Sequence, residues 1–468
     1  MVIFMNNTDL TKGSITKLIF KLSIPMIIAQ LINLLYNIVD RIYIGHYGTE
    51  EVSKLALSGL GACFPIIIIV SAFSALFGMG GAPLVGIALG QKDLKKAKQI
   101  LNNSFILLTI TSLVIIPILL IFKKPILLAF GANSENVSYA IDYLNIYILG
   151  TFFVMISLGL NQYITAQGKT LFAMLSIIIG AVSNIILDPI FIFGFDMGVK
   201  GAALATIISQ AISAVFIMVI LVSKISIIKL NPFKTKLSFS IIKSISLLGL
   251  SPFIMQSTEA LIQICFNNQI KNYISDLPTE TTYLAAMTTL ITLMSLVNMP
   301  MQGLAQGTQP IISQNYGAGE IKRAKEASIK LIIFCFAFSF IFVLSILIFP
   351  RFYVGIFADT KEIVDTTAKL IPLFLIGMMF MGIQIGCQNS FLALGKSKIS
   401  LILALLRKII LLIPLTLILP LFLQEKGIFI AETTADILAI TITLLCYLFL
   451  FNKYLKEKEN GKIKKTAQ

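Results

Sequence analysis

LFAMLSIIIGAVSNIILDPIFIF, residues 171–193, is an apolar run long enough to cross a bilayer, interrupted near its end by Asn184-Ile185-Ile186-Leu187-Asp188-Pro189. About 20 such residues make a spanning helix, so the stretch is read as one, with a polar corner built into it. Asn184 and Asp188 are four residues apart, which on a helix points both side chains the same way. Pro189 has no amide hydrogen and crowds the carbonyl of Ile185, freeing that oxygen for a ligand or a water. An acid at membrane depth costs about 2.5–3.5 kcal/mol even on the lenient insertion scale. It therefore faces a bundle interior, either to bind something or to fix the packing of another helix.

Outward from this stretch the pattern repeats. Of the 468 residues, 57% are hydrophobic and 13% charged, and twelve apolar runs follow one another with short polar turns between them. We place them at 16–41, 55–80, 100–122, 138–165, 170–193, 199–223, 241–266, 281–305, 327–349, 366–392, 399–421 and 428–451. All are read as helices, because the alternating strands of a β-barrel are absent. The run from Thr16 to Arg41 is too long for a secretory signal, and no small-residue cleavage site follows it. Five cysteines (Cys63, Cys265, Cys335, Cys387, Cys446) stand singly in apolar runs and read as small hydrophobes.

The formal charge of +15 does not point to nucleic acid, because the basic residues are placed unevenly along the chain. With the amino terminus inside, 25 Lys and Arg fall in inner segments against ten in outer ones, while Arg407 and Lys408 lie within a span. That excess is the positive-inside signal, which puts both termini in the cytoplasm of a multi-pass protein of the cell membrane.

The chain repeats itself at a displacement of 227 residues. Pro25 maps to Pro252, Gly80 to Gly307, Pro83 to Pro310 and Gly90 to Gly317, and Lys95-Lys96-Ala97-Lys98 maps to Lys322-Arg323-Ala324-Lys325. Gly150, Gly159, Ala166, Gly168 and Lys169 map to Gly377, Gly386, Ala393, Gly395 and Lys396. One offset serves helices one to five without a gap. The fold class is thus an all-α integral membrane protein, with twelve transmembrane helices in two six-helix lobes related as parallel repeats. We divide it into residues 1–223, a cytoplasmic linker 224–240, residues 241–452 and a basic tail 453–468. Transporters built this way bind substrate between the halves and rock one against the other.

Helix 1 carries Asn33, Tyr36, Asn37 and Asp40, a polar stripe at spacings of three, four and seven. Arg41 points about 100° away from Asp40, so it need not neutralise that acid. Asp40 is either the solvated outer end of the helix, near Arg41 and the outer-surface His46, or a partner of Asn184 and Asp188. Counting inward from the outer ends of helices 5 and 6 places Asp188 and Thr206 at comparable depth, where Asp40 could join them. Such a cluster of oxygen ligands can hold Na+ at Asp40, Asn184, Asp188 and Thr206, or it can hold protons. Two carboxylates that close do not both ionise cheaply without a cation.

The motifs Ile24-Pro25-Met26, Tyr36-Asn37-Ile38-Val39-Asp40-Arg41-Ile42-Tyr43-Ile44-Gly45, Asn184-Ile185-Ile186-Leu187-Asp188-Pro189 and Gly201-Ala202-Ala203-Leu204-Ala205-Thr206 resemble those of the multidrug and toxic compound extrusion (MATE) transporters. Within that family the chain is similar to the bacterial DinF-like and MepA-like branch, and the resemblance covers its whole length. It implies twelve helices in two lobes, and export of amphipathic, often cationic compounds driven by inward flow of Na+ or H+. By match of motif, the coupling residues fall on Asp40, Asn184, Asp188 and Thr206, with Tyr36 beside them. No cofactor other than that ion is expected, and the protein is expected to be a monomer in the lipid bilayer, without nucleic acid.

In another branch of the family the second lobe carries acids in helices 7 and 10. Here helix 10 offers Gln384, Gln388 and Asn389 but no acid in its middle, and helix 7 offers Glu259. Glu259 either meets a cationic substrate in the cleft or pairs locally with a neighbour such as Gln263. Met255, Gln256, Met287 and Gln384 are further candidates for a substrate cleft, since flexible Met suits varied lipophilic cations, although Met on a membrane helix also serves plain packing. Arg407 and Lys408 either snorkel inward or line the inner mouth. Coupling acids in only one copy of the repeat point to a secondary active exporter. The rivals are a flippase for a lipid-linked saccharide, which would want a cleft rich in Arg, and a passive channel. An embedded enzyme would need a nucleophile or metal set, and the chain has one His and no HExxH or GxSxG motif.

Overall fold

The computed structural model describes residues 9–466 apart from 275 and 359, and among these residues there are helices and connections but no strand. The helices are α1 (Ile15–Gly45), α2 (Glu50–Gly90), α3 (Leu94–Ala129), α4 (Val137–Leu149), α5 (Thr151–Ala166), α6 (Thr170–Pro189) and α7 (Val199–Val222). They continue as α8 (Phe239–Tyr273), α9 (Leu277–Ala318), α10 (Ile321–Ile348), α11 (Pro350–Gly355), α12 (Lys361–Leu375) and α13 (Met381–Ala393). The last are α14 (Ser397–Leu405), α15 (Ile413–Leu423), α16 (Glu425–Cys446) and α17 (Asn452–Thr466). Three π turns are inserted, at Ile190–Gly194, Leu406–Leu412 and Tyr447–Phe451.

Ten segments are each long and apolar enough to cross a membrane, and two bent pairs bring the number to twelve. Those pairs correct the expectation that 138–165 and 366–392 are unbroken helices. The first bends by 59° between α4 and α5, at Gly150, and the second by 46° between α12 and the turn that begins at Gly377. The cause is close approach of a neighbour. A side chain on Gly150 would strike Ile207 of α7 at 2.3 Å, and one on Gly377 would strike Cβ of Asp436 on α16 at 2.8 Å. The two glycines are mates in the 227-residue repeat, so both copies break the same helix against the same neighbour.

The helices cluster into two compact units. One comprises Ile28–Ser257 with the chain up to Leu10, and the other Thr11–Ile27 with Thr258–Gln468. The start of α1 thus belongs to the second unit and the start of α8 to the first. Matched glycines permit this within each unit. A side chain on Gly80 of α2 would meet the Ile245 carbonyl of α8 at 2.4 Å, and one on Gly307 of α9 would meet Cα of Ser23 on α1 at 2.4 Å. Residues 224–240 are tied to the first unit. Gln167 Oε1 accepts from the Ile227 amide at 2.7 Å, and Asn102 Oδ1 from the Asn231 amide at 2.8 Å.

Candidate functional site

The site of the first unit is assembled where α6 ends. Pro189 closes the α-helix, and the chain continues as the π turn Ile190–Gly194, in which the Phe195 amide donates five residues back to the Ile190 carbonyl at 2.9 Å. Positive φ values of 52° at Asp196 and Gly198 then reverse the chain into α7. Gly198 suits that conformation, which L side chains avoid. A side chain on Gly201 would lie 2.7 Å from the Phe191 carbonyl, so the small residues Gly201-Ala202-Ala203 let α7 lie directly against the π turn. The end of α1 is pinned to the same turn. The Tyr47 hydroxyl donates to Asp196 Oδ1 at 3.1 Å, and the rings of Tyr43 and Tyr47 lie 6.4 and 6.5 Å from that of Phe193.

These contacts bring Tyr36, Asp40, Asn184, Asp188 and Thr206 into one cluster. Asp188 is fully buried, Asn184 and Thr206 nearly so, and the Asn184 amide donates to Asp188 Oδ1 at 3.1 Å. Asp40 and Asp188 lie close enough to interact, and two such carboxylates do not both ionise cheaply without a cation. Asp40 Oδ1, Asn184 Oδ1 and Asp188 Oδ2 are all buried without a hydrogen-bond partner. Buried acceptors are normally satisfied, so these oxygens are suited to receive a cation or a proton. Arg41 stacks its guanidinium 4.8 Å from the centre of the Phe64 ring, and His46 Nδ1 contacts the Ile42 carbonyl at 2.7 Å. The side chain of Asn37 lies outside the described residues.

Beside the acids the same unit encloses a cavity of about 150 Å³. Asn33, Tyr36, Asp40, Thr206, Gln210, Tyr143 and Tyr147 line it with polar groups, and Leu60, Phe64, Ile67, Val154 and Leu158 supply apolar wall. Tyr143 and Tyr147, one helical turn apart on α4, stack at 5.9 Å. Gln210 is held by a hydrogen bond from Ser157. The pocket therefore joins aromatic faces, apolar surface and the Asp40 carboxyl group, with Arg41 also at its wall.

The candidates for a substrate cleft are distributed differently. Met255 and Gln256 are half-buried on the part of α8 that belongs to the first unit. Glu259, Met287 and Gln384 belong to the second. Met287 is fully buried, and Gln384 is buried with its Oε1 unpartnered. Glu259 is bound to Lys408 Nζ at 2.8 Å, so its partner comes from helix 11 rather than from Gln263.

The second unit also corrects two expectations. Arg407 and Lys408 neither snorkel nor line a mouth. Both are buried, Arg407 binding Asp436 Oδ1 through Nε at 2.8 Å and Glu432 Oε1 through NH2 at 3.2 Å. Coupling acids are likewise not the only buried acids, because Glu432 and Asp436 on α16 are 1% and 0% exposed. Sequence reading missed them, although they stand four residues apart within an apolar run, the same signal that singled out Asn184 and Asp188.

Two duplicated sets of membrane helices, one of them holding a polar cavity beside a pair of buried acids, define a membrane transport protein of the two-lobe helical kind. The sequence pattern of the MatE family matches residues 25–190 and again 258–418. The chain belongs to this family, the MATE transporters. It is 27% identical over 436 residues to the multidrug export protein MepA of Staphylococcus haemolyticus, covering 92% of this chain and 94% of that one. It is 26% identical over 440 residues to MepA of Staphylococcus aureus strain MSSA476, covering 93% and 94%. Among solved structures, an outward-facing multidrug resistance MATE family transporter of the MOP superfamily superposes with a TM-score of 0.88 at 24% identity, over 96% of this chain and 99% of that one. A MATE structure in the bent conformation gives 0.88 over 97% and 100%, again at 24% identity. These structures share the fold.

Proposed function

We propose that the protein is a secondary active multidrug exporter of the cell membrane, with both termini in the cytoplasm, extruding amphipathic and cationic organic compounds in exchange for H+ or Na+ by alternating access. The observation that carries this reading is the close pair Asp40 and Asp188, with buried acceptor oxygens left unpartnered on both, beside an aromatic cavity that Asp40 lines. The names of the MepA relatives support the substrate class. Bound ion and bound substrate compete for the same carboxyl pair: a proton shared by Asp40 and Asp188, or Na+ held with Asn184 and Thr206, cancels the charge that attracts an organic cation. Competition of this kind is a differential affinity, without which neither flux can drive the other. Helix α1 has Pro25 inside it, and bending there is the movement by which Asp40 is carried toward or away from Asp188. Structurally similar MATE structures described as bent and as straight support such a movement. The protein acts as a monomer and needs no cofactor beyond its coupling ion.

Reconstitution into liposomes, with efflux of a fluorescent lipophilic cation followed under an imposed Na+ gradient and then a proton gradient, tests this function. Transport under one of them names the ion. Ion flux without substrate would indicate a channel, and no transport under either would send the search to lipid-linked saccharides.

A further inference from the structure

The second unit buries an ion cluster that the coupling site does not use. Its members are Arg407 and Lys408 from the π turn Leu406–Leu412, Glu432 and Asp436 from α16, and Glu259 from α8. Lys408 is committed to Glu259, whose side chain is 47% exposed. One guanidinium is then left to serve two carboxyl groups, each at most 1% exposed. Two cations face three acids. Asp436 Oδ2 is buried and has no hydrogen-bond partner. A carboxylate left uncompensated in such a place is strongly disfavoured, and a neutral carboxyl avoids that penalty.

The repeat shows where these acids stand. Gly198 enters α7 with φ 52° and ψ −127°, and Gln424 enters α16 with φ 52° and ψ −139°. Three residues later Gly201 and Gly427 make the same approach, a side chain on them lying 2.7 Å from the Phe191 carbonyl and 2.6 Å from the Leu419 carbonyl. In this register Glu432 is the counterpart of Thr206 and Asp436 that of Gln210, and both of those line the cavity of the first unit. The break at Gly377 lies directly against Asp436. The acids therefore occupy the positions that face the cavity in the other copy, at the point where the second unit's bent span is hinged. A π turn carries the cations opposite them, an irregularity found often at functional positions.

We propose that Glu432 and Asp436 form a proton-binding carboxyl pair in the second unit, holding one proton that balances the third acid of the Arg407–Lys408 cluster. The ligand is a proton rather than a metal ion. Na+ needs several oxygens, whereas Arg407 already fills the space between the two carboxyl groups, and no group of three or more metal-ligating His, Cys, Asp or Glu side chains exists among the described residues. The charged groups facing the pair are Arg407, Lys408 and Glu259. Binding and release convert one carboxylate to a carboxyl group and back with no other reactant.

Infrared spectroscopy reads this directly and does not depend on transport. The variant Asp40→Asn/Asp188→Asn, purified in detergent, removes the first unit's pair. It is expected to keep the carbonyl-stretch band of a protonated carboxyl group at neutral pH, shifted in deuterium oxide. Adding Asp436→Asn should abolish that band, and Glu432→Gln in the same background provides a second route to the same loss should Asp436→Asn fold poorly. Absence of the band from the double variant, or its survival in both triple variants, would overturn the proposal. A band that responded to Na+ and not to pH would overturn it in favour of a metal site.

Discussion

The two units place their acids on different parts of one repeated frame. In the first, Asp40 and Asp188 come from α1 and α6 and meet each other, with amide, hydroxyl and phenol groups around them and a cavity at their side. In the second, Glu432 and Asp436 come from α16, at the positions that Thr206 and Gln210 hold in the first, and they close on a fixed guanidinium. The difference separates two uses of buried charge. Carboxyl groups whose counter-charge must all arrive from solution can exchange all of it, whereas carboxyl groups tied to a covalently attached cation exchange only the charge that this cation leaves unbalanced. A duplicated backbone has thus become asymmetric through a handful of side chains.

The largest effect that would break this comparison is on stability. Arg407→Met leaves two buried acids sharing no cation and should cost about 3–5 kcal/mol, read as a fall in thermal unfolding temperature in detergent. Adding Glu432→Gln and Asp436→Asn should recover most of the loss. If Arg407→Met were neutral, the second cluster would not be held by its cation.

The next effect is on transport. Asp40→Asn and Asp188→Asn keep the shape of the site and remove its exchangeable charge. Gradient-driven efflux should fall to the level seen without a gradient, while thermal stability changes far less than with Arg407→Met. Normal efflux in either variant, with folding and insertion intact, would remove that residue from coupling.

The smallest effect sharpens the register between the copies. Gln424 holds a backbone conformation with φ 52° that its mate Gly198 adopts without strain. Gln424→Gly should raise stability by about 1 kcal/mol, the relief of strain less the entropy of a glycine. Gly198→Ala should lower it, because it introduces the same strain and a Cβ only 2.5 Å from the Tyr47 ring. Equal responses at the two positions would break the equivalence.

Much of this was legible in the chain because its signals are local. Twelve apolar runs mark twelve spans, matched Gly, Pro and Lys mark the duplication, and the spacing of Asn184 and Asp188 marks a polar face. The second cluster was hidden for physical reasons. The 227-residue offset holds through helix 5, but the register read from Gly198 and Gln424 is 226, so Glu432 does not fall on Thr206 when the first offset is extended. Arg407 and Lys408 are adjacent, and on a regular helix they would point about 100° apart, which made burial of both look costly. The π turn at Leu406–Leu412 changes that geometry, and nothing in the sequence announces it. The bends at Gly150 and Gly377 were equally silent, since a glycine inside an apolar run shows neither a break nor the neighbour that causes one.

The most direct test of the account is the linkage between ion and substrate on the purified protein. Affinity for a fluorescent lipophilic cation should be measured across pH and across Na+ concentration, in the wild type and in Asp188→Asn. The account predicts that the coupling ion weakens substrate binding by roughly 5–150-fold in the wild type and leaves the variant's affinity unchanged. An ion dependence equal in the two proteins would contradict it, and would move the coupling away from the carboxyl pair of the first unit.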